Sequence, residues 1–447
     1  VLDEPSIGLH HRDNARLIDT LVGLRERGNS VIVVEHDEDT MRSADEIIDL
    51  GPGAGRLGGN VVARGSAADL AATPASVTGR FLARPAEPPA RQPRPCPPAP
   101  SKRLVVEGAA LNNLADLHVS IPLARLVCVT GVSGSGKSTL VRDVLSRSLQ
   151  GLLAAASPNA RGRRGALRGC QAVNGWQTLT RVLEVDQTPI GKTPRSCPAT
   201  YIGFWDHVRR LFAATPEARM LGWGPGRFSF NTKGGRCDAC EGQGVQRMEM
   251  SFLPDVKVPC EVCHGSRFNA ETRGVRYRDH NIGEVLGLSM DTAAELFAAH
   301  PPVRRPLELL QAVGLGYLSL GQASPTLSGG EAQRIKLVAE LSKARSDAEG
   351  RAERPTLYVL DEPSVGLHMA DVERLIAALQ RLVDAGHSVV VIEHDLDLIA
   401  AADWVVDLGP EGGADGGRIM AAGAPMDIAR AGIGHTAAAL RQRFGLS

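Results

Sequence analysis

Several short stretches of the chain are apolar at nearly every position, among them Ser30-Val-Ile-Val-Val34, Leu126-Val-Cys-Val-Thr130, Thr356-Leu-Tyr-Val-Leu360 and Ser388-Val-Val-Val-Ile392. Runs this short and this rich in β-branched residues, with no polar alternate, predict strands buried on both faces, as in a parallel sheet covered by helices. Segments such as Leu140-Val-Arg-Asp-Val-Leu145 have the mixed spacing of a helix. The pattern as a whole predicts an α/β fold.

The pattern also repeats. Val1-Leu-Asp3-Glu4-Pro-Ser6-Ile-Gly8-Leu9-His10 returns as Val359-Leu-Asp361-Glu362-Pro-Ser364-Val-Gly366-Leu367-His368. The match stays in register through Glu35-His36-Asp37 against Glu393-His394-Asp395, and through Asp49-Leu-Gly51-Pro52 against Asp407-Leu-Gly409-Pro410. Each copy supplies a strand ending in two carboxylates, a helical stretch and a second strand ending in Glu-His-Asp. The first copy has no glycine-rich loop ahead of it and no initiator Met. The expectation is therefore the C-terminal part of a longer protein with two nucleotide-binding halves, residues 1–73 being the tail of the first.

Residues 74–102 are proline-rich, a composition that excludes a helix or a central strand and predicts a linker. Residues 103–447 form the second half, with an inserted region expected at about 150–320 and a helical stretch at about 204–214. Residues 153–168, with Arg161, Arg163, Arg164 and Arg168, are small and basic and are expected to be mobile.

The strand Leu126–Thr130 leads into Gly131-Val-Ser-Gly134-Ser-Gly136-Lys137-Ser138-Thr139. This G-x-x-x-x-G-K-S spacing between strand and helix lets backbone N–H groups close around phosphates at a helix N-terminus. Lys137 would reach the β- and γ-phosphates and Ser138 would ligate Mg²⁺. Further along, Cys237-Asp-Ala-Cys240 and Cys260-Glu-Val-Cys263 stand nineteen residues apart. That is zinc-ribbon spacing, and two such turns complete a tetrahedron. A redox dithiol is the competing reading, but it needs only one pair. His264 beside Cys263 is read as a bystander, and Cys96, Cys128, Cys170 and Cys197 as dispensable.

Composition narrows the classes. The 50 basic and 50 acidic residues cancel, so a nucleic-acid surface must be a local patch. No apolar run reaches the roughly 20 residues of a membrane span. The N-terminus lacks a signal-peptide layout, and a cytoplasmic location is expected.

Leu327-Ser328-Gly329-Gly330-Glu331 sits at a predicted helix start, with Glu331 placed for a capping box. With GVSGSGKS, LYVLDEPS and VIEHD in this order, it resembles the signature of ABC-type ATPases. The resemblance implies an ABC-type P-loop fold that binds and hydrolyses ATP. Asp361 would then support Mg²⁺, Glu362 would act as general base and His394 would contact the γ-phosphate. Gln187 would be the loop glutamine, and Asp3, Glu4 and His36 the first-half equivalents. No aromatic lies between Leu104 and Thr130 to stack on adenine, a departure from the family.

The match narrows to the UvrA family. It is similar in Asp186-Gln-Thr-Pro-Ile-Gly-Lys192-Thr-Pro-Arg195, in Gly226-Arg-Phe-Ser-Phe-Asn231, in the cysteine ribbon with Phe252-Leu-Pro254-Asp255, and in Leu408-Gly409-Pro-Glu-Gly-Gly413. The insert Ser342–Arg354 looks longer than in the family, and Ser6 and Ser364 stand where threonine is common. The resemblance implies DNA-damage recognition in nucleotide excision repair by a homodimer that loads a helicase-like, UvrB-like subunit. An alternative is a paralogue for self-resistance to DNA-binding drugs, or a soluble ATPase partner of an efflux pump. It also implies composite sites. Lys137 and Glu362 would face a signature from the absent half, while Ser328, Gly329 and Gly330 would cap nucleotide on the absent phosphate loop. For DNA, the candidates are Lys192, Arg195, Lys233 and Arg236, with Arg209 and Arg210 nearby.

Overall fold

The computed structural model describes all residues except 54, 56–57, 90, 97–101, 157–164, 249–255, 348–354 and 447. Arg161, Arg163, Arg164, Phe252, Pro254, Asp255 and most of the Ser342–Arg354 insert, singled out above, lie outside the described residues or their described side chains. Two compact units emerge, one of residues 1–186 with 351–447, the other of residues 187–350. The second unit begins later than the expected insert and includes the signature helix.

The first unit is organised by a six-stranded sheet. In order its strands are Arg418–Gly423, Trp404–Gly409, Leu126–Gly131, Ser388–Ile392, Thr356–Asp361 and Arg181–Val185. All pairings are parallel except that of the edge strand Arg418–Gly423. The strand that feeds the phosphate loop is buried at every position, which is why its sequence has no polar alternate. Against this sheet lies an antiparallel one of Leu117–Pro122, Arg103–Ala109 and Ala172–Asn174. Leu104, Val106, Val127, Val129, Leu140, Val144, Val359 and Ile392 interlock in the core between them. Burial of this kind stabilises by about 25 cal/mol per Å² of apolar surface.

The first copy of the repeat reproduces only the flanks of that sheet. Leu2–Asp3 pairs in parallel with Val33–Val34, and Ile47–Gly51 pairs antiparallel with Asn60–Gly65. The ladder irregularity after Asp49 recurs after Asp407, and the bonds Gly51-Pro52 and Gly409-Pro410 are both cis. In the second copy the phosphate-loop strand stands between the corresponding pairs; among the described residues no strand fills that place in the first. Identical patterning therefore ends in opposite environments: Val34, Ile48 and Leu50 are 49%, 57% and 66% exposed, while their counterparts Ile392, Val406 and Leu408 are buried.

One expectation needs correction. Residues 74–102 are not uniformly irregular, because Ser76 caps a helix, Val77–Leu82, whose Phe81 and Leu82 are buried. The proline-rich composition starts only after it, and the composition averaged over the window hid a well-capped turn. Nor is the remainder loose. Arg94 donates from its backbone and guanidinium to buried Asp403 at 2.7 and 2.8 Å, and to Gln380 at 2.7 Å.

The second unit carries the helices Trp205–Ala213, Met290–Leu296, Pro301–Ala312 and Gly329–Asp347. Phe212, Phe228, Phe230, Phe268 and Phe297 are fully buried in it, and Tyr277 stacks on Phe297 with centroids 5.9 Å apart. Trp205–Ala213 matches the helical stretch expected at 204–214.

Candidate nucleotide site and cysteine cluster

Strand Leu126–Gly131 delivers the phosphate loop at a left-handed Gly131 (φ 134°), where a Cβ would lie 2.0 Å from the Leu408 carbonyl oxygen. Only glycine fits that approach. Lys137 folds over the loop and donates to the Gly131 and Val132 carbonyls, each at 2.9 Å. Burial lowers its pKa to about 8. The helix then begins as wide π-type turns over Thr139–Ser146 and continues as Arg147–Ala156.

The carboxylate pair ends the strand Thr356–Asp361, separated from the phosphate-loop strand by Ser388–Ile392. Glu362 is left-handed (φ 44°), held in line by its N–H donating to Ile392 O at 2.9 Å. A non-glycine residue in that region is strained, and such strain persists where the surroundings over-determine it. Its Oε1 lies 3.7 Å from Nε2 of His394. Burial, then the neighbouring Asp361, raises the pKa of Glu362. His394 is kept neutral, its pKa lowered to about 2 by burial. Glu393, a residue the motif reading passed over, is buried and accepts from the N–H groups of Ser364, His394 and Asp395 at 2.9, 2.6 and 3.0 Å. It locks the turn that aims His394. In the first copy Glu4 is also left-handed, His36 Nε2 stands 3.5 Å from its Oε1, and Glu35 accepts from Ser6 and His36 at 2.9 Å.

The two copies face each other through the loops that follow their carboxylates. A Cβ on Gly8 would sit 3.2 Å from Glu362 Oε2, and one on Gly366 would sit 3.2 Å from Glu4 Oε2. Ser133 of the phosphate loop donates to Gly8 O at 3.2 Å. Behind each loop a histidine caps the next helix and reaches a threonine of the opposite copy. His10 Nε2 is 3.3 Å from Thr436 Oγ1, which donates to Asp407 at 2.8 Å. His368 Nε2 is 3.1 Å from Thr78 Oγ1, which donates to Asp49 at 2.8 Å. Burial lowers the pKa of His10 to about 3 and raises that of Asp407 to about 6. These partners are hundreds of positions apart, and the only sequence signal for them was the repeated histidine.

The signature lies in the other unit. Ser328 and Glu331 form the expected capping box, Ser328 N donating to Glu331 Oε2 at 2.8 Å and Glu331 N to Ser328 Oγ at 3.2 Å. Gln187 is set against it, its Oε1 3.2 Å from where a Cβ on Gly329 would be. Gly330 follows in the first helical turn.

The four cysteines of the ribbon converge. Their sulfurs all lie within 4.8 Å of one another, with Cys237–Cys260 at 4.0 Å and Cys240–Cys263 at 3.7 Å. A tetrahedral zinc with Zn–S of about 2.3 Å requires S···S of about 3.8 Å, so the donor set fits that ion. His264 is outside the group. At Gly235 and Gly242 a Cβ would fall 1.6 and 1.9 Å from backbone carbonyls, which is why the turns entering the cluster are glycine-rich. Between the cysteine pairs, Val245–Met248 and Val256–Pro259 form a hairpin. Arg195 and Arg236 converge on one carboxylate, Glu241, at 3.2 and 3.7 Å. Lys192 and Lys233 are exposed. Arg209 pairs with Asp206, and Arg210 is exposed.

A glycine phosphate loop on the central strand, a carboxylate pair and a histidine on the next two strands, and a separate Ser-Gly-Gly helix start give the arrangement of an ABC-type P-loop fold. The comparisons narrow this. The chain is 52% identical to UvrABC system protein A of Streptomyces avermitilis over 99% of its residues and 42% of that protein's length. Against the same-named protein of Thermus thermophilus, identity is 54% over 97% of the chain and 44% of the relative. The solved structure of UvrA2 from Deinococcus radiodurans superposes with a TM-score of 0.86 at 48% identity, covering 99% of this chain and 51% of that one. No family model matches. The chain belongs to the UvrA family, matching its C-terminal region and spanning somewhat under half the length of the curated relatives. No helix among the described residues is long and apolar enough to cross a membrane.

Proposed function

We propose that this chain is the C-terminal nucleotide-binding portion of an ATP-hydrolysing DNA-damage recognition protein of nucleotide excision repair. It would act as a dimer that passes damaged duplex to a helicase-like, UvrB-like subunit. The observation that carries the reading is the reciprocal packing of the two copies. Each catalytic carboxylate faces the glycine of the other copy's loop, Gly8 against Glu362 and Gly366 against Glu4. A site built this way is shared between halves, with the loop glycine of one copy set closely against the carboxylate of the other.

The residues divide the work. Lys137 is held by two carbonyls, weak partners that a phosphate oxygen would replace with a stronger charge-assisted bond. Ser138 and Asp361 would hold Mg²⁺, which when bound neutralises charge on the β- and γ-phosphates. Glu362, its pKa raised by burial, is suited to take a proton from water. Neutral His394 is a hydrogen-bonding group beside it rather than a competing cation. Ser328, Gly329, Gly330 and Glu331 would cap a nucleotide held by another half. The four cysteines would hold a structural Zn²⁺.

DNA contact is assigned to the second unit, to Lys192, Arg195, Lys233 and Arg236. Arg195 and Arg236 share the carboxylate of Glu241, while Lys192 and Lys233 are exposed and available to phosphates. Contacts from such groups go to phosphates and carry no sequence code, which suits a search for damage in any sequence. Survival of an ultraviolet-sensitive, repair-null strain tests the whole reading. The intact gene should restore survival and the same gene carrying Glu362→Gln should not; restoration by the variant, or none by the wild type, would overturn it.

A further inference from the structure

Arg142 was singled out by no motif, yet it sits among the groups expected to hold the metal. It lies four residues after Ser138 on wide π-type turns, in which residues four to five apart fall on one side. Its Nη1 donates to Asp361 Oδ2 at 3.0 Å and its Nε to Glu184 Oε1 at 2.7 Å. Glu184 pairs with Val359 in the parallel ladder, so Asp361, two residues on, projects from the same face of the sheet. Two like-charged carboxylates on adjacent strands repel unless a cation lies between them, and the guanidinium fork is that cation.

We propose that Arg142 is a stand-in cation for Mg²⁺, a positioning residue that holds Asp361 while the metal site is empty and withdraws to Glu184 when the metal enters. The inference rests on the reading of Asp361 as a metal carboxylate. A guanidinium 3.0 Å from one carboxylate oxygen opposes a dication at the same group, because like charges at that range repel in a partly buried site. Glu184 supplies the second berth, so the arginine need not leave the protein to yield. The effect is a threshold: nucleotide binding would need more free Mg²⁺ than it would without the arginine.

The two partners must then act with opposite sign. Arg142→Gln removes the competitor and should lower the Mg²⁺ concentration that half-saturates nucleotide binding by about two- to fivefold, the worth of a partly exposed ion pair. Glu184→Gln removes the second berth, ties Arg142 to Asp361 and should raise that concentration. The double variant should behave like Arg142→Gln, since the glutamate acts only through the arginine. The experiment is a Mg²⁺ titration of binding of a fluorescent non-hydrolysable ATP analogue to the intact chain, with unfolding curves recorded for each variant. If Arg142 instead orients Asp361 for the metal, Arg142→Gln raises the requirement, and the proposal is overturned. If it only ties strands together, both single variants lose stability with the Mg²⁺ midpoint unmoved, which also overturns it. Absence of any nucleotide binding by the wild type would overturn the proposed function as well.

Discussion

Replacing Thr436 by Val should destabilise the first unit in a way that depends on pH. The hydroxyl donates to Asp407 at 2.8 Å and meets His10 at 3.3 Å, and all three residues are buried. Valine removes the donor without opening space. An ionised Asp407 then loses a hydrogen bond to a charge, worth about 1.5–3 kcal/mol, and the weaker interaction with His10 adds about 0.5–1 kcal/mol. The pKa of Asp407 is already raised to about 6 by burial, with the Thr436 hydroxyl acting the other way. A carboxyl whose folded pKa exceeds its unfolded value makes folding less favourable as pH rises through the window between them, here from about 4 to 6. Removing the donor widens that window upward. The loss should therefore be about 2–4 kcal/mol at pH 8 and shrink to about 1 kcal/mol at pH 5, where the neutral acid needs the donor less. The mirror substitution Thr78→Val is the control. Asp49 is more exposed than Asp407 and keeps a second hydroxyl donor, Ser76, so about 1 kcal/mol should be lost with little pH dependence. Urea unfolding at both pH values measures all four numbers. A Thr436→Val loss that is equal at pH 5 and pH 8, or that Thr78→Val matches, would refute the argument from Asp407.

Three further outcomes follow from the site. Glu362→Gln in the intact protein should cut steady-state ATP hydrolysis by about 10²-fold or more while ATP still binds, which single-turnover and binding assays separate. Cys260→Ser should release the metal and destabilise the hairpin Val245–Met248 with Val256–Pro259, without weakening nucleotide binding at Lys137; metal analysis by mass spectrometry, set beside ATP-analogue binding, checks both halves of this. Neutralising Lys192 and Arg195 together should weaken binding to damaged and undamaged duplexes alike and reduce the salt slope by about one unit for each phosphate that is no longer neutralised, as read from fluorescence anisotropy at several salt concentrations.

What the sequence disclosed was local. The phosphate loop, the capping box of Ser328 with Glu331, the ribbon spacing and the repeat are each carried by residues close in the chain, where spacing alone dictates geometry. Continuous apolar runs revealed the central strands for the same reason. The contacts that join the copies were not legible, because His10 and Thr436 are brought together only by the packing of loops and helices far apart in sequence. Arg142 belongs to no motif, and its role depends on the register of Glu184 beside Val359, which no single segment specifies. Val77–Leu82 was missed because proline content was averaged across a window that begins with a well-formed cap. The exposure of Ile48 and Leu50 could not be read from their pattern, which equals that of buried Val406 and Leu408; burial here depends on the strand Leu126–Gly131, which pairs beside the second copy.

The central claim is that the nucleotide site on this chain is one part of a shared pair. Steady-state ATP hydrolysis by the isolated chain, measured beside the intact two-halved protein at equal site concentration and with ATP binding verified for both, tests it directly. The account predicts that the isolated chain binds ATP yet turns it over at a small fraction of the intact rate, because no signature from the other half caps the nucleotide on Lys137. Equal turnover by the two would contradict it.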